Sequence, residues 1–474
     1  MLRLGDEPLT PAVLAAAARA DGPLELELTA GARERMAAAH RTMAAATHLQ
    51  DVYGRTTGVG ANRDVQVDPE EARAHSVRLL RSHAGGMGRP LPPDIVRGTL
   101  VVRLAQMAAG GGGHRAEVAD ALIAALAGGP LPELRNLGGI GTGDLTLLGQ
   151  LGLALEARGL EIQAGDALAL MSSNAATFAS AALAWHDVAE LLDAGLGIAA
   201  LTFCALEGNQ EAFAAAVADA RPLAGLVAVS GRLRALTAGA PPAARIQDPF
   251  GLRCLPPVAG ALDWALRNLH DVLAVEINAA AENPLVAGEE VLHHGGFHNA
   301  TCALALDGLR LALVPFASLS AARLTHLMAP ELTGLPAFLA VDAPGSSGVL
   351  ITEYLAADAL ARLRADAAPA VLGTVAISRG LEEHASFAWQ ASGQARHAVF
   401  HLRTVLALEW LVAERALRMK GIGGGAPLAG ARALAADWDP ALEDRPLGDD
   451  AERAVAALPA LAAVVRSVIG GAPH

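Results

Sequence analysis

The strongest constraint on this chain is the length of its helical segments. The apolar pattern over 384–419 runs unbroken for about ten turns and stops at Lys420-Gly421-Ile422-Gly423-Gly424-Gly425, a glycine-rich helix end. Segments 173–195, 206–220, 257–281, 298–327 and 348–366 read the same way. The apolar face over 384–419 is too broad and alanine-rich for a two-position coiled-coil seam. Long helices of this kind pack side by side as a bundle. Of the 474 residues 53% are apolar but only 3% aromatic, so the core must consist of Ala, Leu and Val. Alanine and leucine are strong helix formers, and small side chains let helices approach closely. There is no internal repeat and no alternating pattern longer than a few residues. The reading is all-α.

The N-terminal part is shorter-grained. Helices are expected within 8–48, with Thr10-Pro11 as cap and first helical position, and over 70–85, 93–109, 115–127 and 145–160. We therefore divide the chain into 1–190, which carries the loops, and 191–474, the long-helix bundle with its C-terminal tail. No stretch reads as disordered except the tail after Gly470. A net charge of −13 argues against nucleic acid as a partner, because a phosphate-binding surface needs clustered Lys and Arg. Cys204, Cys254 and Cys302 form neither a metal pattern nor a disulfide framework, which fits a reducing cytoplasm. Met1-Leu2-Arg3-Leu4-Gly5-Asp6 lacks the apolar core of a signal peptide. Charge interrupts the alanine-rich runs before membrane-spanning length.

Two loops stand out. Gly138-Gly139-Ile140-Gly141-Thr142-Gly143-Asp144-Leu145 holds four glycines in six residues, which no helix interior would accept. It ends at Thr142 or Asp144, either of which can cap the helix from Leu145. Helix N-termini favour negative charge, yet a glycine turn before a capped helix accounts for the pattern equally well. Tyr53, one of only two tyrosines with Tyr354, lies in Tyr53-Gly54-Arg55-Thr56-Thr57-Gly58-Val59-Gly60. No periodic apolar face there needs its ring, although a surface-packing tyrosine is an alternative.

With Ser82-His83-Ala84-Gly85, Gln247-Asp248-Pro249-Phe250-Gly251-Leu252-Arg253-Cys254, Glu282-Asn283-Pro284-Leu285 and Gly295-Gly296-Phe297-His298, in this order, the two loops resemble the histidine and phenylalanine ammonia-lyase family. The resemblance spans Leu4 to Lys420. It implies a homotetramer with active sites shared by three subunits, acting on a small amino acid or carboxylic acid. It implies that Tyr53 removes the substrate's β-proton, which calls for positive charge or N–H donors to activate the phenol. Gly60 belongs to the same loop, and His83 matches a position beside the active site, unless it merely faces its helix dipole. Arg253 resembles the arginine that holds the α-carboxylate, two parallel donors meeting two oxygens. Gln247, Phe250, Phe297, Ser172, Asn174 and Glu382 align with further substrate contacts. His293, His294 and His298 lie within six residues but lack the i, i+4 spacing of zinc motifs, so no metal is expected.

The departures are as informative. The family's Ala-Ser-Gly triplet cyclises to methylidene-imidazolone, an electrophile; here it reads Gly141-Thr142-Gly143. Ring formation needs the glycine nitrogen to attack the carbonyl two residues back and the middle residue to lose its hydroxyl. Threonine would leave an extra methyl on the carbon to be attacked, in a tightly fitted site. The asparagine that serves this group is Ser172, with Asn174 two positions on; another family asparagine is Gly296, and a usual tyrosine is Phe250. Base and carboxylate clamp are kept while the electrophile and its partner are lost together. This favours a carbon–nitrogen lyase working by proton removal at Tyr53 on a leaving group that needs less activation, with no added cofactor. An ordinary ammonia-lyase or 2,3-aminomutase with a threonine-derived ring is the first alternative, and a non-catalytic binding or scaffold protein the second.

Overall fold

The computed structural model of the protein describes residues 1–341, 344–423 and 425–470. The tail after Gly470 and Gly424 of the glycine-rich stop lie outside the described residues. Helices dominate. The longest are Ala175–Ala205, Leu255–Glu276, Ala300–Leu327, Ala388–Lys420 and Gly448–Ile469. Three two-stranded sheets of three- or four-residue strands are the β structure among the described residues. One of them pairs Leu2–Leu4 in parallel with Leu26–Leu28. The all-α expectation holds.

Local chemistry sets the helix ends. Thr10 accepts the N–H of Val13 at 3.2 Å, with Pro11 opening helix Pro11–Arg19. Gly421, at φ +66°, closes Ala388–Lys420, and the N–H of Ile422 reaches back to the Leu417 carbonyl at 3.0 Å, the reverse-turn seal that glycine permits. Segment 206–220 is not one helix: it holds a 3₁₀ turn, Gln210–Phe213, and a short helix, Ala215–Asp219. Helices Ala224–Leu236 and Gly448–Ile469 form despite Gly225, Gly231 and Pro459 inside them.

The chain forms two compact units. One comprises Met1–His186, Leu269–Asp307 and Pro369–Gly393; the other comprises Asp187–Asn268, Gly308–Ala368 and Gln394–His474. The division differs from a cut at residue 190 because 269–307 and 369–393 join the N-terminal part, and because each boundary except that at 368–369 falls inside a long helix. In the first unit, Pro93–Ala109 is buried on nearly every side, with Leu100, Val101, Val102, Leu104 and Met107 fully enclosed. It packs on Pro11–Arg19. A side chain at Gly98 would meet the Cβ atoms of Ala179 at 3.0 Å and Ala18 at 3.4 Å, so small residues set the helix spacing. In the second unit the ring of Phe316 fills the space beside Gly195, and Trp410 meets Trp438 edge-on with centroids 4.7 Å apart. Two helical stretches, Asp166–Ala205 and Ala300–Leu327, are long and apolar enough to cross a membrane, but 94% and 56% of their apolar windows lie buried within the chain, as in core helices.

Polar groups inside the first unit are organised around Arg103, which has no exposed surface. It donates to Glu282 Oε1 at 2.8 Å and to the carbonyls of Ala169 and Leu170 at 2.5 and 3.1 Å. His114 Nε2 lies 2.6 Å from its Nη2, and burial together with this guanidinium holds the His114 pKa well below the ordinary value. Removing one member of a buried pair strands the other. Arg103→Met is expected to lower stability by about 3–5 kcal/mol, read as a drop in urea midpoint. A loss under about 1 kcal/mol, the scale of an exposed pair, would show that Glu282 finds another partner.

Candidate active site

The Tyr53 loop and the glycine loop both meet the segment 377–390 of the first unit. Tyr53 is half-buried, and its hydroxyl oxygen accepts the N–H of Gly60 at 2.7 Å. Gly60 takes φ +56°; a side chain there would lie 2.6 Å from Ser378 Oγ and 3.2 Å from Glu382 Oε1. Ser378 Oγ also accepts the N–H of Ala61 at 2.9 Å. Glu382 therefore stands beside the Tyr53–Gly60 hydrogen bond, and Ile377 and Glu382 pair across a tight turn to place it. Burial raises the Tyr53 pKa above the ordinary tyrosine value. The Gly60 N–H pulls it back, the Glu382 charge pushes it up again, and Arg63 opposes that push. The N–H donor foreseen as activator is present, but it is outweighed.

The glycine loop is gripped along its length. Trp389 Nε1 donates to Asn136 O at 2.9 Å, Gln390 Nε2 to Gly139 O at 2.7 Å, and the Phe387 N–H to Ile140 O at 2.8 Å. Ser386 Oγ donates to Gly141 O at 2.5 Å, and the N–H of Asn299 approaches the same oxygen at 3.4 Å. On the other side Asn174 Oδ1 accepts the N–H of Gly143 at 2.9 Å, while its Nδ2 donates to Phe297 O at 2.7 Å. Asn174 thus ties the glycine loop to the Gly295–His298 turn. Ser172 Oγ accepts the N–H of Asn283 at 2.9 Å.

A methylidene-imidazolone formed at 141–143 would have to give up two of these bonds. Closing that ring brings the Gly143 nitrogen onto the Gly141 carbonyl carbon. Here the Gly143 N–H is committed to Asn174 and the Gly141 carbonyl to Ser386. Gly141 and Gly143 sit at φ +79° and +100°, and a Cβ at 141 would come within 2.3 Å of Ser386 Oγ and 2.5 Å of the Ala388 nitrogen. Neither the alanine nor the serine of the family triplet is present.

Two of the three loop histidines brace backbone, and the third pairs with another ring. His293 Nε2 accepts the Tyr53 N–H at 3.1 Å. His294 Nδ1 accepts the Gly296 N–H at 2.9 Å, and its Nε2 lies 2.7 Å from the Glu282 carbonyl oxygen. His298 Nε2 is 2.9 Å from His384 Nδ1, with burial and the facing ring lowering the His298 pKa. His83 ends helix Ala72–His83 with Nδ1 2.9 Å from Leu79 O and 3.0 Å from Ser82 Oγ, the arrangement of a C-terminal histidine serving its own helix.

In the second unit Gln247 and Arg253 line a cleft of about 270 Å³ with Asn209, Glu211, Asp248 and Cys254. Arg253 stacks over the Phe250 ring, 4.4 Å from its centroid. Asp248 is held by Arg245 at 2.9 Å and by the Asn209 N–H at 2.6 Å.

Sequence reasoning missed Ser378, Ser386, Trp389, Gln390 and Asn299. All are ordinary residue types far along the chain from the loops they hold. One capping expectation is corrected. Asp144 stands at the N-cap position of Leu145–Glu156 but makes no side-chain bond to that helix. Its carboxylate takes the N–H and hydroxyl of Thr177, both at 2.8 Å, in the first turn of Ala175–Ala205, where its own N–H on Ser173 O at 2.7 Å holds it.

The family model of aromatic amino acid lyases matches residues 9–161 and 156–436. The histidine ammonia-lyase of Deinococcus radiodurans is 33% identical over 455 residues, covering 89% of this chain and 87% of its own. The crystal structure of histidine ammonia-lyase from Trypanosoma cruzi superposes with a TM-score of 0.89 at 26% identity, covering 99% of this chain and 95% of that one. Ergothionase of Treponema denticola, an ergothioneine-degrading enzyme, shares the fold with a TM-score of 0.89 at 23% identity, covering 97% and 99%.

Burial raises the Asp144 pKa from 3.8 to about 6 against the bonds from Thr177 and Ala176. A carboxyl raised on folding stabilises the fold below its unfolded pKa, and that stabilisation is lost as pH rises through the folded value. The loss reaches about 3 kcal/mol, two pKa units' worth. Asp144→Asn keeps an acceptor for Thr177 without the charge. Melting temperatures from pH 4 to 7 should show the variant gaining on the wild type as pH rises. A gap moving the other way would mean that the helix dipole at Ala175 outweighs desolvation.

Proposed function

We propose that this chain, which belongs to the aromatic amino acid lyase family and is a lyase, eliminates a cationic nitrogen from a histidine-type carboxylic acid by proton removal at Tyr53, without a methylidene-imidazolone group. The observation that carries the reading is the placing of Glu382 beside the Tyr53–Gly60 hydrogen bond. A carboxylate there raises the phenol's pKa in the free protein. A substrate whose cationic nitrogen faces Glu382 cancels that charge, so the base is released for ionisation when a cation is bound.

The nature of the nitrogen follows from the missing electrophile. A primary amine exchanges its proton and leaves poorly unless it is captured. A quaternary ammonium is cationic at every pH and departs as a neutral tertiary amine. Phenolate takes the β-proton, the C–H electron pair forms the α,β double bond, and the C–N pair leaves with the amine. The proton remains on Tyr53 until solvent removes it. Ergothioneine, the betaine of a 2-thiohistidine, has this chemistry. It is named for the Treponema denticola enzyme, and histidine for the relatives of higher identity. Arg253 holds the carboxylate, with Gln247 and Phe250 beside it. Phe297 contributes ring contact and Ser172 polar contact, while Asn174 fixes the turn of Phe297 against the glycine loop. The assembly is a homotetramer with shared sites, taking a small molecule in the cytoplasm. A second reading, an ordinary ammonia-lyase with a ring derived from Thr142, is favoured by the histidine ammonia-lyase relatives.

The intact mass of the purified protein separates the two. A full-length mass supports the present reading, and a mass short by two waters sinks it. Turnover of ergothioneine is expected to exceed that of L-histidine, and Tyr53→Phe to lose about 10²–10⁴-fold in kcat, the share of a positioned general base. Unchanged turnover would remove Tyr53 from the mechanism.

The acid limb of kcat/KM reports the free base and should lie above the ordinary tyrosine value, with activity rising as pH rises. Glu382→Gln should move that limb to lower pH while reducing kcat/KM about 10- to 100-fold, the range of a lost charged hydrogen bond. A limb unmoved by this change would separate Glu382 from Tyr53.

A further inference from the structure

The helical turn Phe250–Arg253, which carries the clamp arginine, rests on an ion pair with no access to solvent. Arg323 gives Nε to Glu409 Oε1 at 2.6 Å and Nη2 to Oε2 at 2.7 Å, and neither side chain has exposed surface. Glu409 also accepts the hydroxyls of Thr202 at 2.7 Å and Ser320 at 2.6 Å. Its partners come from the long helices Ala175–Ala205 and Ala300–Leu327, and it stands on Ala388–Lys420. One arm of the guanidinium is left over. Nη1 donates to the carbonyl of Gly251 at 3.0 Å, two residues before Arg253. Gly251 has no room for a side chain, since a Cβ would lie 2.9 Å from Arg323 Cγ.

Stability alone gives little reason to keep such a pair, because apolar residues of the same volume pack as well or better. What the pair supplies is direction. The guanidinium is a rigid fork; with Nε and Nη2 fixed on Glu409, Nη1 can point only one way. Arg253 has less to orient it. Its buried Nε finds no partner among the described residues, and its guanidinium lies on Phe250. Its aim is set by the turn that bears it, and the turn is set by Arg323. We propose that Arg323 and Glu409 are positioning residues for Arg253, and that they set the preference of the site for a carboxylate over a neutral group. This rests on the reading of Arg253 as the carboxylate clamp.

Calorimetric binding of 3-(imidazol-4-yl)propanoate and of its uncharged amide to the full-length protein gives a carboxylate-to-amide affinity ratio. The wild type should favour the carboxylate, and Arg253→Gln should bring the ratio near one. No preference in the wild type, or a ratio untouched by Arg253→Gln, overturns the clamp and this inference with it. Where the clamp holds, Arg323→Lys leaves a cation on Glu409 but withdraws the Gly251 contact. It should cut the ratio about tenfold, as a misaimed bidentate contact would, with amide binding unchanged. A wild-type ratio in Arg323→Lys overturns the positioning role alone. Glu414→Gln alters another buried carboxylate of the same helix, paired with Arg432 at 2.6 Å, and should leave the ratio intact. An equal fall there would mean general loosening and would overturn the role too. If Arg323→Lys does not fold, Gly251→Ala, which pushes the turn off Arg323, takes its place with the same two outcomes.

Discussion

A loop without regular structure must still satisfy its backbone, and the rest of the first unit is arranged around that requirement. Buried amides and carbonyls without partners cost on the order of 1–3 kcal/mol each. The carbonyls of Asn136, Gly139, Ile140 and Gly141 all bond to the stretch Ser386–Gln390, and the N–H groups of Gly143 and Asp144 to Asn174 and Ser173. Each partner is anchored at the start of a long helix, Ala388–Lys420 or Ala175–Ala205. The loop therefore has the rigidity of the helices although it has none of their internal bonds. Asp144 adds to this by capping the second of those helices from the end of the loop.

The framework can do this because its helices are built from small residues. Alanine and glycine at the contacts bring backbones close, as Gly98 against Ala18 and Ala179 shows. Side chains from one helix then reach loops held by another without long flexible stems. Arg103 is the exception in length, and it is fully committed to Glu282 and to the carbonyls of the turn before Ser172. The same logic governs Arg323 and Glu409 in the second unit. In both places a buried arginine reads out carbonyls of a functional turn, a task for which its fixed fork suits it better than lysine.

What could be read in the sequence followed from how local its causes were. Helices Pro93–Ala109 and Ala300–Leu327 were placed within two residues, because apolar period, proline and glycine act over one or two turns. Ala224–Leu236 and Gly448–Ile469 escaped because glycine and proline inside them are local breakers that packing overrules. The apolar pattern over 206–220 predicts a helix, whereas Asn209 caps a 3₁₀ turn and redirects the chain. Motif order singles out Tyr53, Gly60 and Glu382, which the structure brings together, and Asn174, which it sets on the glycine loop. The grip on the glycine loop is not legible in the sequence, since Ser386 and Gly141 are 245 positions apart and a serine gives no sign of what it will hold. Asp144 was assigned to its own helix because nothing in the sequence places Thr177 closer.

The raised pKa of Tyr53 bears on how such a site can work at all. A base must be ionised to act, yet burial and Glu382 both keep this phenol protonated in the free chain. An uncharged substrate brings no positive charge near the phenol, so it would not remove this obstacle. A permanently cationic substrate would, because the charge that must leave is also the charge that offsets Glu382. Binding and activation then become one event. The phenolate forms only while the leaving group is in place, and once the amine has departed Glu382 again favours the protonated phenol. In this arrangement the carboxylate that weakens the base in the empty site is what makes its activation depend on the right substrate. On this reading, the absence of the triplet's serine and of the asparagine aligned with Ser172 costs such a substrate nothing.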